Sequence, residues 1–462
     1  MSPSLPSDVW LNVIHFIGED KCSLQTLSSV NNFIRDLALP ALFHTIQLVI
    51  PNSNQPKTLH VFQEKLLRRI RGISLTLHIS SHIRYLKLVY WRPSHENHVY
   101  SAYFKQLDIQ DHISKLTPII YQLIVDLIPN LPRLYRLDLK ECCLTQGSLA
   151  SICRSKSLEF LRLNGFVLKS GILDPDTKVL TFSNLHILEY CPGIAPGPSN
   201  NNMIASLLRP TSRFTVLCLP LSDISLLLHN TTGKLLQLQK LTIFERFPSN
   251  NNANNNEEIY SLLSLTPDLR ELHLIGKIYG NIHSILPSTI VPRLESLTAT
   301  PVIANCIASG RALNNIHILS FPQHTFLKSY NAVIKEATNV SYDSMLADPR
   351  KEFSHLSHMF PNASTLRITA EISDAILSVL PKFSRLRQCG VFDTGRCPTD
   401  MDRDRACCPI GRRDNPTYRC HPTIQDLQIL SWYRWRWISK DGWRLVTVKY
   451  SPFDFWDNVF FD

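Results

Sequence analysis

Apolar positions along the chain keep two different rhythms. Near the start, Trp10, Val13, Ile14 and Ile17, flanked by Val9 and Phe16, follow the i, i+3, i+4, i+7 spacing of one helix face. Pro6 suits a first helical turn, where its missing N–H costs nothing, and Asp8 suits the positive end of the helix dipole. Gly18-Glu19-Asp20-Lys21 interrupts the stripe. Leu24, Leu27, Val30, Phe33 and Leu37 then resume it in helical steps, and Pro40 is expected to end that stretch. Helices this short bury little by themselves. Their apolar surplus needs a cover, supplied either by a partner or by the rest of the chain.

Beyond Pro51 the rhythm turns to short alternations of the form apolar-x-x-apolar-x-apolar. They begin with HIRYLKL, LYRLDL, LEFLRL, LHILEY and FTVLCL, and continue with LQKLTI, LRELHL, LESLTA, IHILSF and STLRIT. Each reads as a short, half-buried strand. The same small corner precedes many of them, as in Leu131-Pro132-Arg133-Leu134, Phe182-Ser183-Asn184-Leu185, Thr266-Pro267-Asp268-Leu269 and Val291-Pro292-Arg293-Leu294. The middle apolar positions fall at 137, 161, 188, 217, 241, 272, 297 and 319. Their steps sit in or near a period of roughly 20–29 residues. Helix-like apolar stretches around 113–128, 203–208 and 259–265 lie between strands.

Spacing and signature together resemble a divergent leucine-rich-repeat array over 81–430. Residues 134–144, LYRLDLKECCL, match L-x-x-L-x-L-x-x-N/C-x-L position for position, whereas Phe166 takes the Asn/Cys place in the next repeat. The expected fold class is therefore α/β, a short helical domain followed by an irregular solenoid. In such an array the leucines enter the core and the intervening positions face outward on the inner surface. That places Arg136, Asp138, Lys140, Phe160, Arg162, Asn164 and Glu189, then Lys240, Thr242, Glu271 and His273, on a face able to hold a protein substrate.

The N-terminal segment, 1–48, closely resembles an F-box. The likeness rests on Leu5-Pro6-x-Asp8-Val9, the apolar helix to Ile17, Leu24-x-x-Leu27 and Ser28-Ser29-Val30-Asn31-Asn32-Phe33. The continuation Leu39-Pro40-Ala41-Leu42-Phe43-His44-Thr45-Ile46-Gln47-Leu48 looks like that of fungal F-box-like proteins. The resemblance implies a non-catalytic adaptor that docks a Skp-family protein of a cullin-based ubiquitin ligase and presents a substrate. Leu5, Pro6, Val9, Ile14, Leu24, Leu27, Val30 and Phe33 would make or support that contact. Residues 49–80 read as a helical connector.

Composition narrows the class. Apolar residues make up 44% and charged residues 19% of 462, the balance of a folded chain. A net charge of +10 is dispersed, which argues against a nucleic-acid surface. Neither a membrane-length apolar run nor a signal-peptide core is seen, so a cytoplasmic or nuclear protein is expected. The 12 cysteines show no framework spacing and read as free thiols. Cys397, Cys407, Cys408, Cys420 and His421 lie in an Asp/Arg/Pro-rich insert, 393–422, which reads as a disordered loop; without a C-x-x-C pair it makes a poor zinc site. The aromatic stretch 431–462, with Lys440-Asp441-Gly442 as a hairpin turn, is expected to cap the array. No phosphate loop, nucleophile elbow or zinc-protease motif occurs, and no cofactor is expected.

Overall fold

A computed structural model describes residues 6–18, 20–49, 56–89, 119–168, 182–192, 201–208, 213–231, 233–245, 255–276, 286–319, 334–343, 356–369, 380–392, 426–429, 433–438 and 442–447. The chain forms two compact units, Met1–Leu238 and Gln239–Asp462.

The first unit opens with three helices: α1 (Ser7–Ile17), α2 (Lys21–Ser28) and α3 (Asn32–His44). Pro6 is the cap of α1 rather than part of its first turn, and its carbonyl accepts from Val9 and Trp10 N–H. Gly18 ends α1 at φ 61°, a left-handed conformation that glycine adopts without strain. Asp20 caps α2 by accepting from the N–H groups of Cys22 and Ser23, and these bonds with the Ser23 hydroxyl hold its carboxyl below the usual range. Asn31 caps α3 through the Ile34 N–H at 2.8 Å. Ile14, Leu24 and Ala38 form a small interior, with Ile17, Leu27, Leu37, Ala41 and Leu42 packed around it.

Pro40 does not end α3, which runs on to His44. The ring forfeits a helix bond that would go to Asp36, an exposed residue, at a cost of about 3 kcal/mol. Packing of Ala38, Ala41 and Leu42 on either side of the proline keeps the helix going.

The sheet then begins inside the N-terminal segment, with β1 (Thr45–Val49) pairing in parallel with β2 (Tyr85–Val89). Between them lie α4 (Pro56–Leu75), which buries Gln63, Leu66, Ile70 and Ile73, and the single turn α5 (Leu77–Ser80). The parallel ladder continues through β3 (Arg136–Lys140), β5 (Phe160–Leu168), β6 (Ile187–Pro192) and β7 (Val216–Pro220). A short β4 (Cys143–Leu144) pairs with the end of β5. Leu86, Leu137, Leu161, Leu188 and Leu217 occupy one register position on adjacent strands and are buried. Such a column contributes about 1.5–3 kcal/mol per leucine.

The second unit repeats the scheme with β8 (Lys240–Phe244), β9 (Glu271–Ile275), β10 (Ser296–Ala299), β11 (Asn315–Leu319), β12 (Asn339–Asp343), β13 (Thr365–Thr369), β14 (Gln388–Phe392) and β15 (Asp426–Ile429), all parallel. Its apolar column is Leu241, Leu272, Leu297, Ile316, Val340, Leu366, Cys389 and Leu427. The expected marker at 319 is thus corrected to Ile316, and β12 adds a repeat that periodicity passed over. Gly276 follows β9 at φ 103°, where a Cβ would lie 2.6 Å from the Glu245 carbonyl oxygen. Only glycine allows that approach. After β15 the chain turns antiparallel into β16 (Tyr433–Ile438) and β17 (Gly442–Thr447), a hairpin with Ile438 opposite Gly442.

The recurrent corner has a physical role. Its first and last residues are buried, and the last N–H returns to the first carbonyl: Leu134 to Leu131, Leu269 to Thr266, Leu294 to Val291, Ala363 to Phe360 and Leu386 to Phe383. Each corner thus turns the chain into a strand while pinning both ends in the core. Cys142, at the Asn/Cys place of the signature, directs its thiol to the carbonyls of Leu88 and Lys140 at 3.6 and 3.4 Å. Phe166 fills the equivalent space one repeat on by packing against Tyr190, ring centroids 5.1 Å apart. The array is α/β with leucine-rich-repeat geometry, its helices including Gln146–Cys153, Asn201–Leu208, Ile224–Asn230, Asn255–Ser264 and Pro301–Ala308.

Candidate functional site

Strand alternation sends the leucines inward and leaves every second residue of β2–β6 on the opposite face of the sheet. Register aligns these outward residues in rows. Tyr85, Arg136 and Phe160 form one row; Lys87, Asp138, Arg162 and Glu189 form the next; Lys140 and Asn164 belong to a third. Arg136, Asp138, Lys140, Phe160 and Arg162 are therefore brought together as expected from alternation.

Asp138 is the centre of this group and is only 3% exposed. Its carboxylate accepts from the Tyr85 hydroxyl at 2.5 Å and from Nε and Nη2 of Arg136, each at 3.2 Å. Arg162 approaches it at 3.9 Å and donates through Nε to Glu189. The Arg136 guanidinium also lies over two rings, 4.7 Å from the Tyr85 centroid and 4.2 Å from that of Phe160. Burial, and then the bond to Asp138, push the Tyr85 phenol up. Burial pulls Arg136 down, but the Asp138 bond and charge outweigh it and hold the guanidinium above its ordinary value. A buried carboxylate is tolerated because three donors compensate its desolvation. Tyr85 and Lys87 were missed by the sequence reading, although both occupy x positions of HIRYLKL.

In the second unit, Glu271 and His273 lie on β9. Lys240 Nζ is 3.4 Å from Glu271, whose other neighbour is His273 Nε2 at 3.7 Å, while His273 Nδ1 meets the Thr298 hydroxyl at 2.8 Å. His273, then Lys240, hold the Glu271 carboxyl below its usual range against the opposing effect of burial. Further along this face Asn339 donates to Asn315 at 2.7 Å, and Arg367 on β13 lies in the register row of His273 and Thr298.

The N-terminal residues divide into two sets. Ile14 and Leu24 are interior, and Leu27 is half-buried against them. Pro6, Val9, Val30 and Phe33 are exposed, and Leu5 lies outside the described residues. The structure adds Leu11, Val13 and Phe16 to the exposed apolar set, Phe16 at 92%. Among the described residues of this unit, no neighbouring element encloses them.

Among the described residues, no cluster of three or more His, Cys, Asp or Glu could hold a metal. The 393–422 insert, with its cysteines and His421, lies outside them, as does 448–462. Among the described residues the cysteines form no disulfide, and burial pushes Cys153 and Cys389 up to about 12, which keeps them protonated and unreactive. Among the described residues no helix is long and apolar enough to cross a membrane.

No protein-family model matches the sequence, and no curated protein matches it. Solved structures give remote likenesses. A TLR13–ssRNA13 complex shares 14% identity at TM-score 0.29, over 77% of this chain and 44% of that one. The plant peptide hormone receptor RGFR1, in complex with RGF2, shares 15% at TM-score 0.24, over 58% and 49%. A Leptospira interrogans leucine-rich-repeat protein shares 13% at TM-score 0.20, over 70% and 83%. The chain spans less than half the length of the first two of these chains. The fold assignment rests on the strand register, which is that of a leucine-rich-repeat solenoid.

Proposed function

We propose that the chain is a substrate-recognition adaptor of a Skp–cullin–F-box ubiquitin ligase. Its N-terminal helices dock a Skp-family adaptor, which links it to the cullin, and its repeats hold a protein substrate. This role belongs to the cytoplasm or nucleus and asks no catalysis of the chain itself. The carrying observation is the apolar surplus of α1, α3 and the turn that leads into α3. Ile14, Leu24 and Ala38 close a small core, yet Val9, Leu11, Val13, Phe16, Val30 and Phe33 remain exposed. An amphipathic helical surface of this kind suits a helix-in-groove partner. The outward faces bearing Arg136, Asp138, Lys140, Phe160 and Arg162 in one unit, and Glu271 and His273 in the other, are the substrate surfaces of this reading.

Co-purification with a Skp-family adaptor tests it. Each exposed side chain adds on the order of 1 kcal/mol on docking, so a paired substitution is needed. Val9→Asp with Phe33→Asp should abolish capture while the helical circular dichroism is unchanged. If wild type captures no adaptor, or the double variant captures it as well as wild type, the ligase role fails. A ubiquitin-independent interaction scaffold is then the function.

A further inference from the structure

The charges on the outward face of β2–β6 do not cancel. Four cationic side chains, Lys87, Arg136, Lys140 and Arg162, share it with two carboxylates, Asp138 and Glu189. Both carboxylates are engaged by the arginines, Asp138 with Arg136 and Glu189 with Arg162. Lys87 and Lys140, half-buried on adjacent strands, have no side-chain hydrogen bond or ion pair among the described residues. The arginine–carboxylate lattice is thus self-satisfied, and among the described residues the two lysines beside it carry the uncompensated charge.

By composition the intervening segments carry no surplus of anions. Residues 90–118 hold Arg92, Lys105 and Lys115 against Glu96, Asp108 and Asp111, while 169–181 hold Lys169 and Lys178 against Asp174 and Asp176. Each is balanced. A phosphodiester backbone also fits poorly, since Asp138 and Glu189 would face it and only two unpaired cations would meet its regular charges.

From this complementarity we infer that the face of β2–β6 binds an acidic peptide segment of a partner protein, with Lys87 and Lys140 pairing to its carboxylates. Tyr85 and Phe160, half-buried beneath the Arg136 guanidinium, add the apolar surface they leave in water to the contact with the stems of its side chains. This deepens the substrate role proposed above and rests on it for the identity of the partner as a substrate. The Asp138 lattice acts as a positioning element: it holds the arginines away from the peptide, so that charge selectivity falls to the two lysines.

Fluorescence anisotropy of the full chain with fluorescein-labelled decaglutamate is the direct measurement. Wild type should bind, and binding should weaken as salt rises. Lys87→Glu with Lys140→Glu should weaken it at least about tenfold, and Lys87→Gln with Lys140→Gln should weaken it several-fold. Lys156→Glu, a charge change equal to that of the glutamine pair but on an exposed residue outside the strands, should stay within about twofold. The milder pair of variants keeps the test valid if the reversal unfolds the chain. Equal binding by both lysine pairs, equal binding of a neutral glycine-serine peptide, or tighter binding of a single-stranded oligonucleotide of the same charge would overturn the inference. Loss of peptide binding with adaptor capture intact removes this inference alone, while loss of adaptor capture with peptide binding intact removes only the ligase assignment.

Discussion

Asp138→Ala is the most informative perturbation of the outward lattice. The carboxylate is almost wholly buried and accepts from Tyr85 and twice from Arg136, with Arg162 at 3.9 Å. Removing one partner of a buried ion pair costs about 3–5 kcal/mol, because the remaining charge is left without compensation. Two features reduce that figure. The arginine side chains keep 27% and 19% of their exposure, so water screens part of the loss. Arg162 also retains Glu189, and Arg136 retains the Phe160 ring. The expected loss is about 3 kcal/mol for Asp138→Ala, and about half that for Asp138→Asn, which keeps one acceptor oxygen. Two units need not unfold together, so a single denaturant midpoint is a poor readout. Hydrogen exchange followed by mass spectrometry on peptides covering β2–β6 reports this unit separately. Protection there should fall about a hundredfold in Asp138→Ala. A double-mutant cycle with Tyr85→Phe should give a coupling of about 1–2 kcal/mol. Protection within about threefold of wild type would refute the reasoning, because a compensated buried carboxylate cannot be removed so cheaply.

Two further perturbations test other parts of the molecule. Arg311 is 4% exposed and donates to carbonyls of the segment before β10 and of helix Pro301–Ala308, among them Pro287 at 2.6 Å and Ile290 at 2.7 Å. Arg311→Met strands these acceptors and should destabilise the second unit by about 3 kcal/mol, read as faster exchange in peptides over 286–319; unchanged exchange there would contradict it. Glu271 has a carboxyl held below its unfolded value by His273 and Lys240. Its stabilisation is therefore present above the unfolded value near 4.5 and is lost as pH falls through the lower folded value. The effect is modest, since the side chain is 46% exposed. A proton titration by NMR should place Glu271 below an unstructured glutamate and move it upward in Lys240→Ala; no movement would sink the assignment.

The strands were the most legible part of the fold. LYRLDL, LEFLRL and LHILEY carry alternation strong enough to predict both the strand and which side chains share its outward face, and the tertiary pairing keeps them in register. Legibility failed where the signal was weak or shared. NVSYD, which forms β12, has one large aliphatic residue and resembles a polar loop. In IHILSF two aliphatic residues compete for the marker position, and pairing with Leu297 selects Ile316 over Leu319. TIQLV was read as the tail of the helical segment because its partner in β1–β2 pairing, residues 85–89, comes only after α4 and α5. Pro40 is a strong local stop signal, overridden by packing that no local rule counts.

From sequence alone came the alternation, the corners, the helical face near the start and the outward side chains of β3, β5 and β6, because each depends on residues close together in the chain. Tertiary structure decided which of them act together. Tyr85 meets Asp138 across 53 positions and Arg162 meets Glu189 across 27, and such pairings depend on how much chain separates two strands. It also divided the N-terminal stripe, burying Ile14 and Leu24 while leaving Phe16 and Phe33 exposed. Periodicity marks an apolar face, but only the packing of neighbouring helices determines how much of that face remains in water.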